Sequence, residues 1–298
     1  MRVFVTGASG YMGSAIVKEL LAAGHQVLGL VRSNQGTEQL RETGAEILLG
    51  DVNDLEIIRQ AATRSEAVIH TAFNHDFSKF KASCEADRLV IQALGEAIAG
   101  SGKPLVITSV LALLRDSGLT TEDDVISVIS DVAPRAASEE AAAIVSALGA
   151  NVYTVRLPLS VHSEGDHSSG FVPMVIGITR EKGESAYVVE GNNRWPAVHR
   201  SDAAALYRMI VEQQPSQKVF HAVAEEGVPF REIAEAIANG LHLPLVSKTG
   251  DEVAAHFGWF AHFASVDCPS SSEKTRDVLG WVAKGTGLIA DITYAGYL

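Results

Sequence analysis

Cysteine is scarce in this chain: Cys84 and Cys268 are the only two in 298 residues. Two thiols that far apart build no disulfide framework. They read as reduced core or surface groups of a chain that stays inside the cell. Basic charge is also in deficit, with 24 Lys and Arg against 36 Asp and Glu and a net charge of -12. Nucleic-acid binding needs a basic face, so no such partner is expected, although a local basic pocket is compatible with the total. No apolar run approaches the ~20 residues of a membrane span. The N-terminus enters a strand pattern at once, without a basic segment and a long apolar stretch. No signal peptide and no membrane association are therefore expected, and the location reads as cytoplasmic. Internal repeats and low-complexity linkers are missing too. What is present is ordinary for a globular protein, 47% hydrophobic and 20% charged. The length suits one large domain or two, with a substantial core.

The most informative stretch is TGASGYMG at 6–13. Val3, Phe4 and Val5 precede it as a buried-strand pattern, and the apolar stripe of Ala15, Ile16, Leu20 and Leu21 follows it as a helix pattern. A strand, a turn with Gly7, Gly10 and Gly13, then a helix is an arrangement that binds a dinucleotide. Glycines let the backbone turn tightly and approach a pyrophosphate. The helix N-terminus then offers free N–H groups and a positive dipole end. Ser9, Tyr11 and Met12 share this loop and join the glycines as candidate cofactor contacts.

Further along, 26–31 reads as a second strand ending in Arg32-Ser33. An acidic residue there would accept hydrogen bonds from a free ribose 2′-hydroxyl. Arg32 instead suits a 2′-phosphate, with Ser33 adding a hydroxyl, so NADP is expected rather than NAD. A helix at 35–43 and a strand at 46–49 lead to Gly50-Asp51-Val52, where Asp51 either bonds the adenine amino group or caps the helix beginning near Asp54. Strands at 67–70, 105–109 and 151–156 alternate with helices at 77–99 and 136–148. Such alternation predicts an α/β doubly wound parallel sheet. Beyond it, helices are expected at 201–211 with Ser201 as N-cap, at 229–239 closed by Gly240, at 250–263, and at 271–279 stopped by Gly280; 219–223 is expected to be a strand returning to the main sheet.

These motifs, together with HTAF at 70–73, TS at 108–109, VRLPLSVH at 155–162, WPAVHRSDAA at 195–204 and SSSEKTRDVLGW at 270–281, resemble those of the extended short-chain dehydrogenase/reductases. The likeness runs through nearly the whole chain and points to the epimerase/dehydratase and dihydroflavonol reductase branch. It implies a Rossmann-type cofactor domain at 1–160, with 195–225 returning to it. A smaller, mostly helical substrate region would hold 161–194 and 226–298. It also implies that Val52, Thr71, Ala72 and Phe73 line the cofactor, that Pro158, Leu159, Ser160 and Val161 lie beside the nicotinamide, and that Ser109 stands at or next to the catalytic serine position, where Ser109 also touches the cofactor. Relatives often pair through the helices placed here at 77–99 and 136–148, so a homodimer is the expectation.

One part of the family pattern is missing. A tyrosine four residues before a lysine normally moves the proton and holds the ribose. None of the six tyrosines has a lysine at that spacing. The best register puts Arg135 in the tyrosine place and Glu139 in the lysine place. Arginine stays charged, so Arg135 cannot give a proton, but it suits a developing oxyanion or a carboxylate. Glu139 suits the ribose hydroxyls. Alternatively the two form an ordinary i,i+4 surface pair. His75, His162 and His167 lie on loops at strand ends and are the candidate acid/bases, while His199 reads as structural. The spacing of His162, Asp166 and His167 fits no ligand template, and no metal is expected. The leading expectation is an NADP-dependent oxidoreductase acting on a carbonyl or alcohol of a small organic molecule, with an atypical site. Two rivals stay open: a non-enzymatic NADP-binding redox sensor or scaffold, and an epimerase, dehydratase or isomerase using its cofactor internally.

Overall fold

The computed structural model describes residues 1–114, 118–164, 170–294 and 296–298. The first half alternates β1 (Arg2–Thr6), α1 (Tyr11–Ala22), β2 (Gln26–Val31), α2 (Asn34–Arg41), β3 (Glu46–Leu49), α3 (Leu55–Thr63), β4 (Ala67–His70), α4 (Phe80–Ile98), β5 (Pro104–Val110), α5 (Ala137–Ala147) and β6 (Asn151–Leu157). The second half continues with β7 (Ser160–His162), α6 (Phe171–Lys182), β8 (Ser185–Val188), β9 (Arg194–His199), α7 (Arg200–Gln213), β10 (Val219–His221) and β11 (Glu225–Pro229). It ends with α8 (Phe230–Leu241), β12 (Leu245–Lys248), α9 (Asp251–Phe257), α10 (Ala261–Ala264), α11 (Glu273–Leu279) and α12 (Leu288–Tyr294).

Seven strands form one parallel sheet in the order β10-β6-β5-β4-β1-β2-β3. The chain runs outward from β1 to β3, then crosses back to start the other half at β4. The order therefore reverses between β1 and β4, and ligands of such sheets bind at the carboxyl ends of the strands flanking that point. Thr6 and His70, the last residues of β1 and β4, stand opposite each other there. Val3, Phe4 and Val5 are wholly buried because helices cover both faces of the sheet. Ile16, Val17 and Leu20 of α1 pack with Leu206, Tyr207 and Ile210 of α7 on one face. Ile58 of α3, Ile91 and Leu94 of α4 and Val145 of α5 cover the other. The α4–α5 contact is close because Gly95 leaves room: a Cβ there would lie 2.4 Å from the Val145 Cβ.

Beyond β6 the chain forms a three-stranded sheet, β11-β9-β7, and a parallel pair, β12-β8. Their core joins Trp195, Phe230, Ile233, Phe260 and Leu288. Of the stretch 195–225 expected to return to the cofactor domain, α7 lies on the large sheet and β10 joins it, whereas β9 belongs to the three-stranded sheet.

The helix expected at 250–263 is divided by a 3₁₀ turn at Gly258–Phe260 into α9 and α10, and other helix ends move. His199, not Ser201, is the N-cap of α7: its ring accepts from the Ser201 N–H, because Ser201 is already inside the first turn. Gly240 does not close α8. It sits within the helix, His242 turns left-handed at φ 55° to end it, and the Leu298 side chain occupies the place of the Gly240 Cβ. The 77–99 helix opens with a 3₁₀ turn at Phe77–Lys79 before α4 proper, since the Asp76 side chain caps that turn. Gly280 ends α11 with φ 66°, as the sequence implies.

Candidate functional site

The three loop glycines each meet a different constraint. Gly7 has φ +67°, and a Cβ on it would lie 2.8 Å from the Ala72 nitrogen. Gly13 faces the loop's own backbone, where a Cβ would fall 2.0 Å from the Gly7 carbonyl oxygen. Gly10 has only that same carbonyl within reach, at 3.1 Å, and is otherwise open. It is also the N-cap of α1, and no side chain caps the helix. The start of α1 therefore presents its positive dipole end to the loop without a capping side chain, a place that suits an anion. Tyr11 directs its side chain away to bind Ser163 Oγ at 3.1 Å, while the Arg200 guanidinium lies 4.4 Å from its ring centroid. The half-buried Met12 packs against the α1–α7 core.

Next to this loop, the end of β2 gathers polar groups. Ser33 caps α2 by accepting from the Gly36 N–H at 3.1 Å. A Cβ on Gly36 would meet Ser9 Oγ at 2.8 Å and Ser33 Oγ at 3.4 Å, so the two hydroxyls flank one small residue. Arg32 is exposed and makes no ion pair among the described residues. Asp51 sits exposed after β3 and accepts from the Asn53 backbone and side chain, both at 2.8 Å. The α3 cap is Asp54, which accepts from the Ile57 N–H, so the reading of Asp51 as that cap is corrected. Val52 packs on the core beneath. Thr71 donates to the Thr6 carbonyl at 2.8 Å, which fixes the start of the Thr71-Ala72-Phe73 loop. Across the sheet, Pro158 and Leu159 are buried, Ser160 starts β7, and the Val161 carbonyl faces the Tyr11 hydroxyl at 3.5 Å.

Arg135, which the sequence register sets in the tyrosine place, is nearly buried. Its Nη1 donates to Asp87 at 2.8 Å and to Ser138 Oγ, and its Nη2 to the Thr108 carbonyl at 2.9 Å. Its guanidinium carbon stands 4.3 Å from the Phe73 ring centroid, a cation–π contact. Asp87 in turn accepts from His70 Nε2 at 3.0 Å and from Ser138, while Thr6 Oγ1 lies 2.6 Å from His70 Nδ1. Burial alone would raise the Asp87 pKa. Arg135 and the His70 and Ser138 hydrogen bonds outweigh that and hold the carboxyl well below the usual range. A buried charge pair with its lone pairs satisfied thus links the ends of β1, β4 and β5 to α4 and the start of α5.

Glu139 lies apart from Arg135. Both its oxygens accept from Arg156 at 2.9 Å, and Arg156 also donates to the Asp124 carbonyl at 2.8 Å. The alternative of an Arg135–Glu139 surface pair is therefore overturned, because each side chain has its own partner beneath the surface. Ser109 is wholly buried on the face that α4 and α5 cover, and its Oγ has no hydrogen-bond partner among the described residues.

The histidines separate. His75 is exposed, with its ring 5.2 Å from Phe73. The surrounding protein and the Arg135 charge lower its pKa from the ordinary value. His162 is buried between β7 and α12, 2.6 Å from Asp291 and 5.7 Å from the His199 ring. Burial lowers its pKa and Asp291 opposes the shift. The structure thus brings Arg135, Phe73 and His75 together and sets His162 in a separate cluster. His167 and Asp166 lie outside the described residues. Among the described residues no group of His, Cys, Asp or Glu is arranged to hold a metal, and no helix is long and apolar enough to cross a membrane. Asp87 and His70 escaped the sequence reading as a pair. The available signal was Asp87 on the buried stripe of α4, between Cys84 and Ile91.

Comparison with known proteins places this arrangement. Residues 1–99 match the NmrA-like family model. An uncharacterized protein of Schizosaccharomyces pombe is 43% identical over 298 residues, covering 100% of both chains. One of Saccharomyces cerevisiae is 42% identical over 98% of both. A sterol-4-alpha-carboxylate 3-dehydrogenase of Dictyostelium discoideum is 23% identical, over 77% of this chain and 73% of its own. A dTDP-glucose 4,6-dehydratase of Streptomyces venezuelae, solved with NAD bound, shares the fold with a TM-score of 0.78 at 17% identity, over 99% of this chain and 95% of that one. The chain belongs to one family with the two yeast proteins and shares its fold with the dTDP-glucose 4,6-dehydratase, and in its own sequence no tyrosine stands four residues before a lysine.

Proposed function

We propose that this protein is an NADP-dependent oxidoreductase acting on a carbonyl or alcohol group of a small organic molecule. The observation that carries the reading is the uncapped α1 N-terminus behind three glycines, each at a position where a side chain would fill or distort the cradle. A pyrophosphate suits a helix N-terminus of that kind. Ser9, Arg32 and Ser33 favour a 2′-phosphate, since no acidic residue stands at the end of β2 and Arg32 makes no ion pair among the described residues. Asp51 and Val52 would hold the adenine side, and Thr71 to Phe73 with Pro158 to Val161 would hold the nicotinamide half. When bound, the dinucleotide supplies a hydride.

The chain's own residues supply position and charge. Asp87 fixes the Arg135 guanidinium, so a substrate oxygen drawn to it meets a preorganised donor rather than a mobile side chain. His75 is the proton carrier in this reading, being exposed, titratable and edge-on to Phe73. Glu139, held by Arg156, would face the ribose with its remaining lone pairs. A second reading, a non-catalytic NADP sensor, is favoured by two observations: the family's Tyr and Lys are both gone, and Ser109 is sealed from solvent. NADPH consumption with a panel of aldehydes and ketones separates them. Turnover lost in His75→Ala supports the enzyme, and NADPH binding with no turnover of any panel member supports the sensor.

A further inference from the structure

Six aromatic rings run outward from Arg135. Phe73 carries the guanidinium on its face. His75 lies 5.2 Å from Phe73, and Phe80 lies 6.3 Å from it. Phe77 stacks on Phe80 at 5.7 Å and on Trp259 at 4.9 Å with 30° between the planes, and Phe263 closes the run 6.1 Å from Trp259. The run joins the loop after β4 to the turn between α9 and α10, two segments far apart in sequence. Phe263 anchors the run on the core through Phe171 and Phe260, but none of the rings is fully buried. Trp195 and Trp281 are almost wholly buried, whereas Trp259 is 58% exposed, and Phe73, Phe77, Phe80 and Phe263 are each half-buried. Leaving that much ring surface in water costs free energy that burial in the adjacent core would have regained.

We propose that these rings are the substrate subsite and that the substrate is a planar, conjugated or aromatic carbonyl compound, its ring stacked on the exposed Trp259, which Phe77 backs, and its oxygen directed to Arg135 and His75. The proposal rests on the oxidoreductase reading and names its substrate class. Offset ring stacking rewards a flat π surface over a saturated ring of equal size. A diphosphate-linked sugar is disfavoured by the same surface. Arg135 keeps two of its five N–H donors, enough for one carbonyl oxygen, but its charge is already balanced by Asp87. Lys79 at the rim is paired with Asp76 at 3.9 Å. A diphosphate entering there would lose its hydration against ring faces and meet only cations that already have a carboxylate beside them.

The test is calorimetric titration of the full-length protein with 2-acetonaphthone, cyclohexyl methyl ketone and UDP-glucose, with NADPH titrated into the same samples. The expected result is saturable binding of 2-acetonaphthone about tenfold tighter than the saturated ketone, with no competition by UDP-glucose. Both Trp259→Ala, at an exposed site, and Phe77→Leu should weaken 2-acetonaphthone about tenfold without changing NADPH affinity. Circular dichroism confirms that each variant is folded. Equal affinity in both variants, no preference for the flat ketone, or tighter binding of UDP-glucose would overturn the subsite. Loss of NADPH binding in the unaltered protein would instead overturn the oxidoreductase reading and leave the ketone result to stand by itself.

Discussion

Asp87 sets the electrostatics of the site, because one carboxylate compensates the charge of Arg135 and orients His70. Removing a single partner of a buried pair strands the other charge. Asp87→Asn should therefore cost about 3–5 kcal/mol in urea denaturation. A loss below about 1 kcal/mol would mean that Arg135 relaxes to water instead. His221 is the second buried titratable group of note. Burial pushes its pKa down to about 4, between Arg156 and the Ser271 carbonyl. The folded state thus holds a neutral imidazole that the unfolded chain protonates below ~6.5. More protons bind the unfolded state between that value and about 4, so stability falls as pH drops through this window, by up to about 3 kcal/mol. His221→Gln should flatten that slope in pH-dependent denaturation, and an unchanged slope would assign it elsewhere. At this scale the sequence exposed residues that stand in a motif register, such as Arg135 and Arg32. It hid those whose meaning is a contact, such as Asp87, Arg156 and Asp291, because their partners lie 17 to 129 positions away.

Glycines test the elements. At Gly13 an added methyl meets rigid backbone of the loop, so Gly13→Ala should displace α1 from the loop and abolish NADPH binding. At Gly95 it meets the Val145 Cβ, and Gly95→Ala should cost about 1–3 kcal/mol by forcing α4 from α5. At Gly240 it meets only the flexible end of Leu298, and the gain in helix propensity offsets that shift, so Gly240→Ala should be nearly neutral. Thermal melts of the three variants check the order, and a Gly240→Ala protein less stable than Gly95→Ala would contradict it. The strands and long helices of the first half were legible because period and length agree there. β7, β8, β9, β11 and β12 were not: length does not set them apart from β3 and β4, but β6 runs into β7, β8 into β9 and β10 into β11 with no helix between to mark them. Gly240 misled for a related reason, since its role depends on a residue 58 positions further on.

For the whole molecule, the doubly wound parallel sheet follows from the strand–helix alternation and was legible in the sequence, whereas the strand order that puts the reversal between β1 and β4 comes from the structure. The convergence of the β4 loop on α9–α10 was not legible, because ring stacking leaves no spacing signature. The outer face of α4 and α5 is a further property at this scale. Leu89, Ile144 and Leu148 are exposed there by 47%, 46% and 57%, and the Arg88–Glu140 pair crosses between the helices at 2.6 Å. We propose that a second copy covers this face. Light scattering should give a dimer mass that Ile144→Glu reduces to a monomer, and a monomeric unaltered protein would remove the interface. The central claim is dinucleotide binding with a read 2′-phosphate, and calorimetric titration of NADPH and NADH into the unaltered protein and Arg32→Ala tests it most directly. The account predicts that NADPH binds more tightly than NADH and that Arg32→Ala weakens NADPH about tenfold or more while leaving NADH nearly unchanged. Folded protein that binds neither nucleotide, or an equal loss for both in Arg32→Ala, would contradict it.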